Sequence, residues 1–172
     1  MARGYRPRAL DRLGLSPGAL AARRPGAIVL RLSAWGDPDR RGFDSLVQAA
    51  SGIALIEGDD GAPGVLPAQA LDHSAGYLLA AAALDLLQRR AREGGSWLAE
   101  TSLRRIAAEL LGLPRTLKRT PAAGLASADG HTQTWTVAGV DLTTTAPAIS
   151  YPDGPTRFAP PRPWGQDEPA WA

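Results

Sequence analysis

The sequence has no cysteine, two histidines and, among its 19 basic residues, a single lysine, Lys118. Without thiols there are no disulfides and no cysteine nucleophile, and two histidines cannot build a histidine-rich metal centre, so no bound metal is expected. The absence of thiols fits a cytoplasmic setting. Long apolar runs are also missing. The longest, residues 75–84, stops at Asp85, about half the length that a membrane span needs. The amino-terminal MARGYRPRAL is positively charged but has no apolar segment behind it, unlike a secretory leader. A soluble protein with no membrane partner is expected.

Excess charge is equally scarce. The formal balance is +2, and no basic face with interleaved aromatics stands out, which argues against a nucleic-acid partner. Arg6, Arg8 and Arg12 gather at one end and suit a small anionic ligand better. What is present is ordinary globular material: 44% hydrophobic and 21% charged residues in 172 positions, enough for one domain with a real core. The 19 glycines and 15 prolines make about a fifth of the chain turn-forming, and much of that, including nine of the prolines, lies in the second half. A compact α/β core over residues 1–113 and a Pro/Gly-rich extension over 114–172, docked on that core, are expected.

Along the chain, Ser16-Pro17 is a helix start, because the serine hydroxyl can cap free N–H groups and proline suits the first helical position. A short helix over 17–24 should end at Pro25-Gly26. AIVLRLSAW, residues 27–35, reads as a buried strand, and GDPDRRG after it as a surface loop. Residues 43–53 place Phe43, Leu46, Val47, Ala50 and Ile53 on one helical face, with Asp44 or Ser45 near the start. A Gly/Pro-rich acidic loop over 57–64 follows. From Leu71 to Leu87 apolar residues occupy nearly every side, which predicts a long buried helix. Its end is marked by cations in QRRARE and by Gly94-Gly95. SWLAETS reads as a strand and residues 103–113 as an amphipathic helix. Residues 132–142 form a strand or hairpin, and the Pro-rich remainder an extended tail docked by Trp164 and Trp171.

Within this frame Asp72 stands out. It is an acidic side chain at the mouth of a helix otherwise committed to the interior, where the helix N-terminus would stabilise its ionised form. Two readings follow from the residues alone. Asp is a favoured N-cap, so Asp72 caps the helix; alternatively, it is a reactive carboxylate. His73 beside it points another way on a helix, and His131 falls in a solvated loop. Trp35 and Gly36 end a strand, where α/β sheets place ligands, although plain aromatic packing accounts for Trp35 equally well. Gln48 and Gln69 lie near apolar faces with no evident role.

Three blocks carry a resemblance: GYRPRALDRLGL, LRLSAWGDPDRRGFDSLVQAASGI and LPAQALDHSAGYLLAAAALDLLQRRAREGGSW. In this order they resemble consecutive segments of the family III CoA-transferases, which include formyl-CoA and carnitine CoA-transferases, and the tail resembles the ends of one bacterial branch. The resemblance implies an α/β fold with Rossmann-like layers, a long buried helix and an irregular Pro-rich tail. It makes Asp72 the nucleophile, because in the family the aspartate that opens the long helix attacks the acyl-CoA thioester. Tyr5 and Arg6 match the family's Asn-Phe-Arg-Pro-Gly segment against CoA, with Gly4 and Arg8 departing from it. Arg12 falls near the CoA phosphates; Trp35 joins these cofactor-binding candidates through its place at the strand end, not through the resemblance.

The implied activity moves CoA between an acyl-CoA and a carboxylic acid, with CoA as substrate and no permanently bound cofactor. Two alternatives remain. One is a non-catalytic subunit that binds a CoA-transferase partner. The other is an acyl-CoA racemase or dehydratase of the same family; the racemases use a histidine upstream of the aspartate, and none precedes Asp72. Family members are commonly about twice this length and begin with a Rossmann-like half. A homodimer or a complementary subunit supplying that half is therefore expected.

Overall fold

The computed structural model describes residues 2–3, 7–37, 40–114, 127–166 and 168. The chain divides into two compact units, Met1–Arg115 and Thr116–Ala172.

The first unit is a three-stranded parallel sheet with helices. Its elements are β1 (Ala2–Arg3), α1 (Pro7–Asp11), α2 (Pro17–Arg23), β2 (Ile28–Ser33), α3 (Asp44–Ser51), α4 (Ile53–Ile56), α5 (Ala70–Glu93), β3 (Trp97–Ser102) and α6 (Leu103–Gly112). The strands run in the order β1-β2-β3. β2 pairs with β3 from Ile28 opposite Trp97 to Ser33 opposite Ser102. Parallel neighbours need a crossover, and α3, α4 and α5 supply it.

Local chemistry explains most of the boundaries. Ser16 caps α2 by accepting from the Ala19 N–H at 3.2 Å, with Pro17 in the first turn. Gly52, in the left-handed region at φ 88°, separates α3 from α4, a conformation that favours glycine. The helix expected over 43–53 is therefore two helices. α5 ends at Gly94, whose N–H donates to the Arg90 carbonyl at 2.8 Å, while the Arg90 guanidinium reaches the Gly26 carbonyl at 2.9 Å and ties the helix to the entry of β2.

The core is one cluster of Val47, Ile53, Leu71, Ala75, Leu103, Ile106 and Ala107. It collects one side of α3, α4, α5 and α6. Two expectations change here. On α3, Phe43 is 72% exposed and Leu46 also faces out, while Asp44 and Gln48 are buried beside Val47. On α5, only the seam of Leu71, Ala75 and Leu86 is buried. Tyr77, Leu78, Leu84 and Leu87 are exposed, because the described neighbours of the helix, β2, β3, α3 and α6, cover one side of it.

The second unit contains an antiparallel hairpin, β4 (Thr132–Val137) and β5 (Val140–Thr145). Its two-residue turn, Ala138-Gly139, has positive φ at both positions, the twist that tight hairpins prefer. Gln133 is buried and fastens later chain to it: its carbonyl oxygen accepts from the Phe158 N–H at 3.0 Å and its amide donates to Thr144. Arg157 stacks on Trp135. Trp164 is fully exposed; Trp171 lies outside the described residues.

Candidate functional site

Asp72 lies in the first turn of α5, but it is not the cap. Gln69 holds that position and makes no side-chain capping bond. The first intrahelical bond, His73 N–H to the Gln69 carbonyl at 3.0 Å, places Asp72 three residues inside. Ala68, just before the cap, takes a left-handed φ of 60°, a strained choice for a side chain with a Cβ.

The missing cap comes from another helix. The Asp72 backbone N–H donates to the Asp44 Oδ2 at 2.8 Å, and the Asp44 Oδ1 accepts from the Gln48 side-chain amide. The Gln48 carbonyl oxygen in turn accepts from the Leu66 N–H at 3.0 Å. Asp44 is 1% exposed, and burial of a carboxylate is tolerated only where such hydrogen bonds satisfy it. One glutamine thus links the start of α3, the loop before α5 and, through Asp44, the first turn of α5. The pair sits at one helical turn, four residues apart, which is why both side chains reach the same point.

The Asp72 side chain is open to solvent at the surface of this turn. Its carboxyl is pushed above the ordinary carboxylate range, first by partial desolvation and then by the negative charge of Asp44, with His73 pulling in the opposite direction. The stabilisation of the anion expected from the helix N-terminus is thus outweighed by desolvation and by the Asp44 charge.

The other candidates fall elsewhere. Trp35 is half-buried in the loop after β2, where its Nε1 donates to the Arg41 carbonyl at 2.9 Å and the Arg40 guanidinium stacks on its ring, 3.7 Å from the centroid. A cavity of about 470 Å³ opens between Trp35, Arg40, Ser51 and Arg104. A second cavity, about 310 Å³, lies at the carboxyl ends of β2 and β3 between Ser33, Gly36, Ser102 and Arg105, beside the Arg31–Glu100 ion pair. Arg12 is exposed in the turn after α1. Tyr5 and Arg6 lie outside the described residues. Among the described residues the hydrogen bonds around Asp72 run to Asp44, Gln48 and Leu66 and reach neither Arg12 nor Trp35.

Sequence reasoning missed Asp44 and left Gln48 undecided. The usable signal was a polar pair at i and i+4 flanking Val47 on a helix whose apolar positions are few.

The comparisons with known proteins agree on the fold. The model of CoA-transferase family III matches residues 1–145. The probable fatty acyl-CoA transferase Rv3272 of Mycobacterium tuberculosis is 36% identical over 95 residues, 52% of this chain and 24% of that protein. A crystal structure of Rv3272 superposes with a TM-score of 0.59 at 32% identity, covering 63% of this chain and 32% of that one. A CAIB/BAIF family protein from Brucella suis gives a TM-score of 0.60 at 24% identity, covering 64% and 31%, a likeness of fold alone. The chain thus spans between about a quarter and a third of the length of these relatives.

Proposed function

Because the chain belongs to the family III CoA-transferases, we propose that it takes part in moving CoA between an acyl-CoA thioester and a carboxylic acid, with Asp72 as the nucleophile. The observation that carries this reading is a solvent-open carboxylate in the first turn of α5 whose backbone is held from a second helix. The probable fatty acyl-CoA transferase assignment of the similar M. tuberculosis protein supports acyl-CoA as the substrate class.

The chemistry suits a carboxylate. An Asp72 oxygen attacks the acyl carbon, forming an acyl–aspartyl anhydride as the C–S bond breaks and the thiolate of CoA leaves. That thiolate attacks the aspartyl carbon of the anhydride, giving an aspartyl-CoA thioester and releasing the first acid as its carboxylate. The acceptor carboxylate then attacks the aspartyl carbon, expelling the thiolate and forming a new anhydride. Attack of the thiolate on the acceptor's acyl carbon yields the product acyl-CoA and restores the Asp72 carboxylate. No proton or redox equivalent is consumed. On this reading Tyr5, Arg6 and Arg12 meet CoA, the arginines pairing with its phosphate oxygens, and Trp35 lines the CoA pocket beside Arg40.

Trapping tests the proposal. After incubation with acyl-CoA, hydroxylamine treatment should leave a hydroxamate that peptide mapping assigns to Asp72, and Asp72→Asn should leave none. A folded protein, supplied with its partner chain where one exists, that gains no adduct at Asp72 overturns it.

A second reading is a non-catalytic subunit of a CoA-transferase assembly. Size-exclusion chromatography with and without a complementary chain separates the two when combined with Asp72→Asn. Loss of activity in the assembled pair excludes the non-catalytic role.

A further inference from the structure

We propose that Asp44 is a positioning residue for Asp72, held by Gln48, which fixes the backbone of the first turn of α5 and sets a buried negative charge beside the carboxylate so that its neutral acylated form is favoured. This rests on the reading of Asp72 as nucleophile and adds a residue that acts through it.

Three observations support the assignment. The first is cost. Asp44 is 1% exposed, and no arginine or lysine pairs with it among the described residues, although a buried carboxylate without a cation is an expensive element. A helix that needs only a cap obtains one from a Ser, Thr or Asn of its own N-terminus. Here the cap comes from 28 residues upstream.

The second is geometry. Both Asp44 oxygens are engaged, one by Gln48 and the other by the N–H of Asp72 itself. Gln48 also holds Leu66 in the loop that leads into α5. The reacting residue is thereby fixed from two sides, which is what orientation in acyl transfer requires.

The third is charge balance across the reaction. As the anion, Asp72 faces the Asp44 carboxylate; His73, on its own helix, is the other group whose charge acts on it. When an Asp72 oxygen bonds to the acyl carbon, the charge departs on the thiolate and the like-charge repulsion disappears. The free carboxylate is raised in energy relative to the anhydride and the aspartyl-CoA thioester, and the barrier to the first acylation falls.

Asp44→Asn is the decisive variant, since it keeps the shape and removes the charge. The full chain, assembled with any partner it needs, is compared with wild type by the rate constant and half-saturation of acylation at Asp72. The Asp72 carboxyl is followed by ¹³C NMR titration, and its amide by hydrogen exchange. The acylation rate constant should fall by about tenfold or more, with half-saturation by acyl-CoA changed less than about twofold, since the substrate does not touch Asp44. The titration midpoint of Asp72 should move down, and its amide should lose protection. A merely structural cap would lower thermal stability and leave the midpoint and the acylation rate constant of the folded protein unchanged; that result overturns the proposal.

Should Asp44→Asn fail to fold, wild type decides. Its Asp72 amide must be protected relative to that of Leu71, and its carboxyl must titrate above the ordinary range. An amide that exchanges as freely as its neighbours overturns the assignment. The two readings fail differently: no adduct in wild type removes the nucleophile, whereas a normal adduct in both wild type and Asp44→Asn removes only the role of Asp44.

Discussion

At the scale of single residues, the candidate site is a contest between two carboxylates. Asp44 occupies the buried place and the hydrogen bonds, leaving Asp72 exposed with its proton held more tightly than usual. The native state therefore keeps that proton at pH values where the unfolded chain has released it. Stability contributed at this position is highest in acid and falls as pH rises from the ordinary carboxyl value of 3.8 through the higher native midpoint. Asp72→Asn should accordingly raise the melting temperature at pH 7, and the gain should shrink toward zero at about pH 3.5. Because the side chain is open to solvent, screening keeps the gain below about 1 kcal/mol. Thermal melts of both proteins across this range check the sign; a gain that grows toward acid contradicts the upward shift. The composition and spacing of the sequence presented Asp72 as a plausible cap, which it is not. A side chain 28 residues away took the capping role, and no window of local sequence contains that pair.

At the scale of elements, boundaries followed local chemistry while faces did not. β3 passes into α6 with no loop, and Ser102 serves both, closing the strand and capping the helix by accepting from the Arg105 N–H at 3.2 Å. Arg104 adds a backbone bond to the Ala34 carbonyl at 2.9 Å, which locks the start of α6 to the end of β2. Ser102→Ala should cost about 1 kcal/mol, the usual value of a helix cap, and lower the melting temperature by about 4 °C, measured by circular dichroism. An unchanged melt would mean that the Arg104 bond alone holds the helix start. The faces of α3 and α5 went differently. Phe43 and Leu46 matched a helical spacing yet point outward, and Asp44 and Gln48 replaced them inside. Along α5 an all-round apolar pattern met neighbours on one side only. Periodicity says which positions share a face; it does not say how much of the helix is covered.

At the scale of the whole molecule, the two units are unequal in substance. Every buried apolar side chain among the described residues, from Val29 to Ala107, belongs to Met1–Arg115. Among the described residues of Thr116–Ala172 the buried one is Gln133, within a single hairpin, and isolated two-stranded hairpins are marginal in water. A chain ending at Arg115 should therefore retain cooperative thermal unfolding, with a melting temperature within about 5 °C of the full chain. The separate 116–172 segment should show no cooperative transition. Circular dichroism of the two pieces checks this, and a lone second unit that melts cooperatively would contradict it. No helix among the described residues is long and apolar enough to cross a membrane.

By itself the sequence determined the elements that local rules govern: the capped start of α2 at Ser16-Pro17, the strands β2 and β3, the glycine stop after α5, and the membership of the chain in its family through motifs from Gly4 to Trp97. These depend on contacts within a few residues or on the order of the three family-like blocks, and both are written along the chain. Tertiary structure alone decided that Asp44, not Asp72, caps α5, that Gln48 holds it, and that one seam of the long helix is buried. Each of these outcomes depends on groups far apart in sequence meeting where water is excluded, where an unsatisfied N–H or carboxylate is costly enough to select its partner.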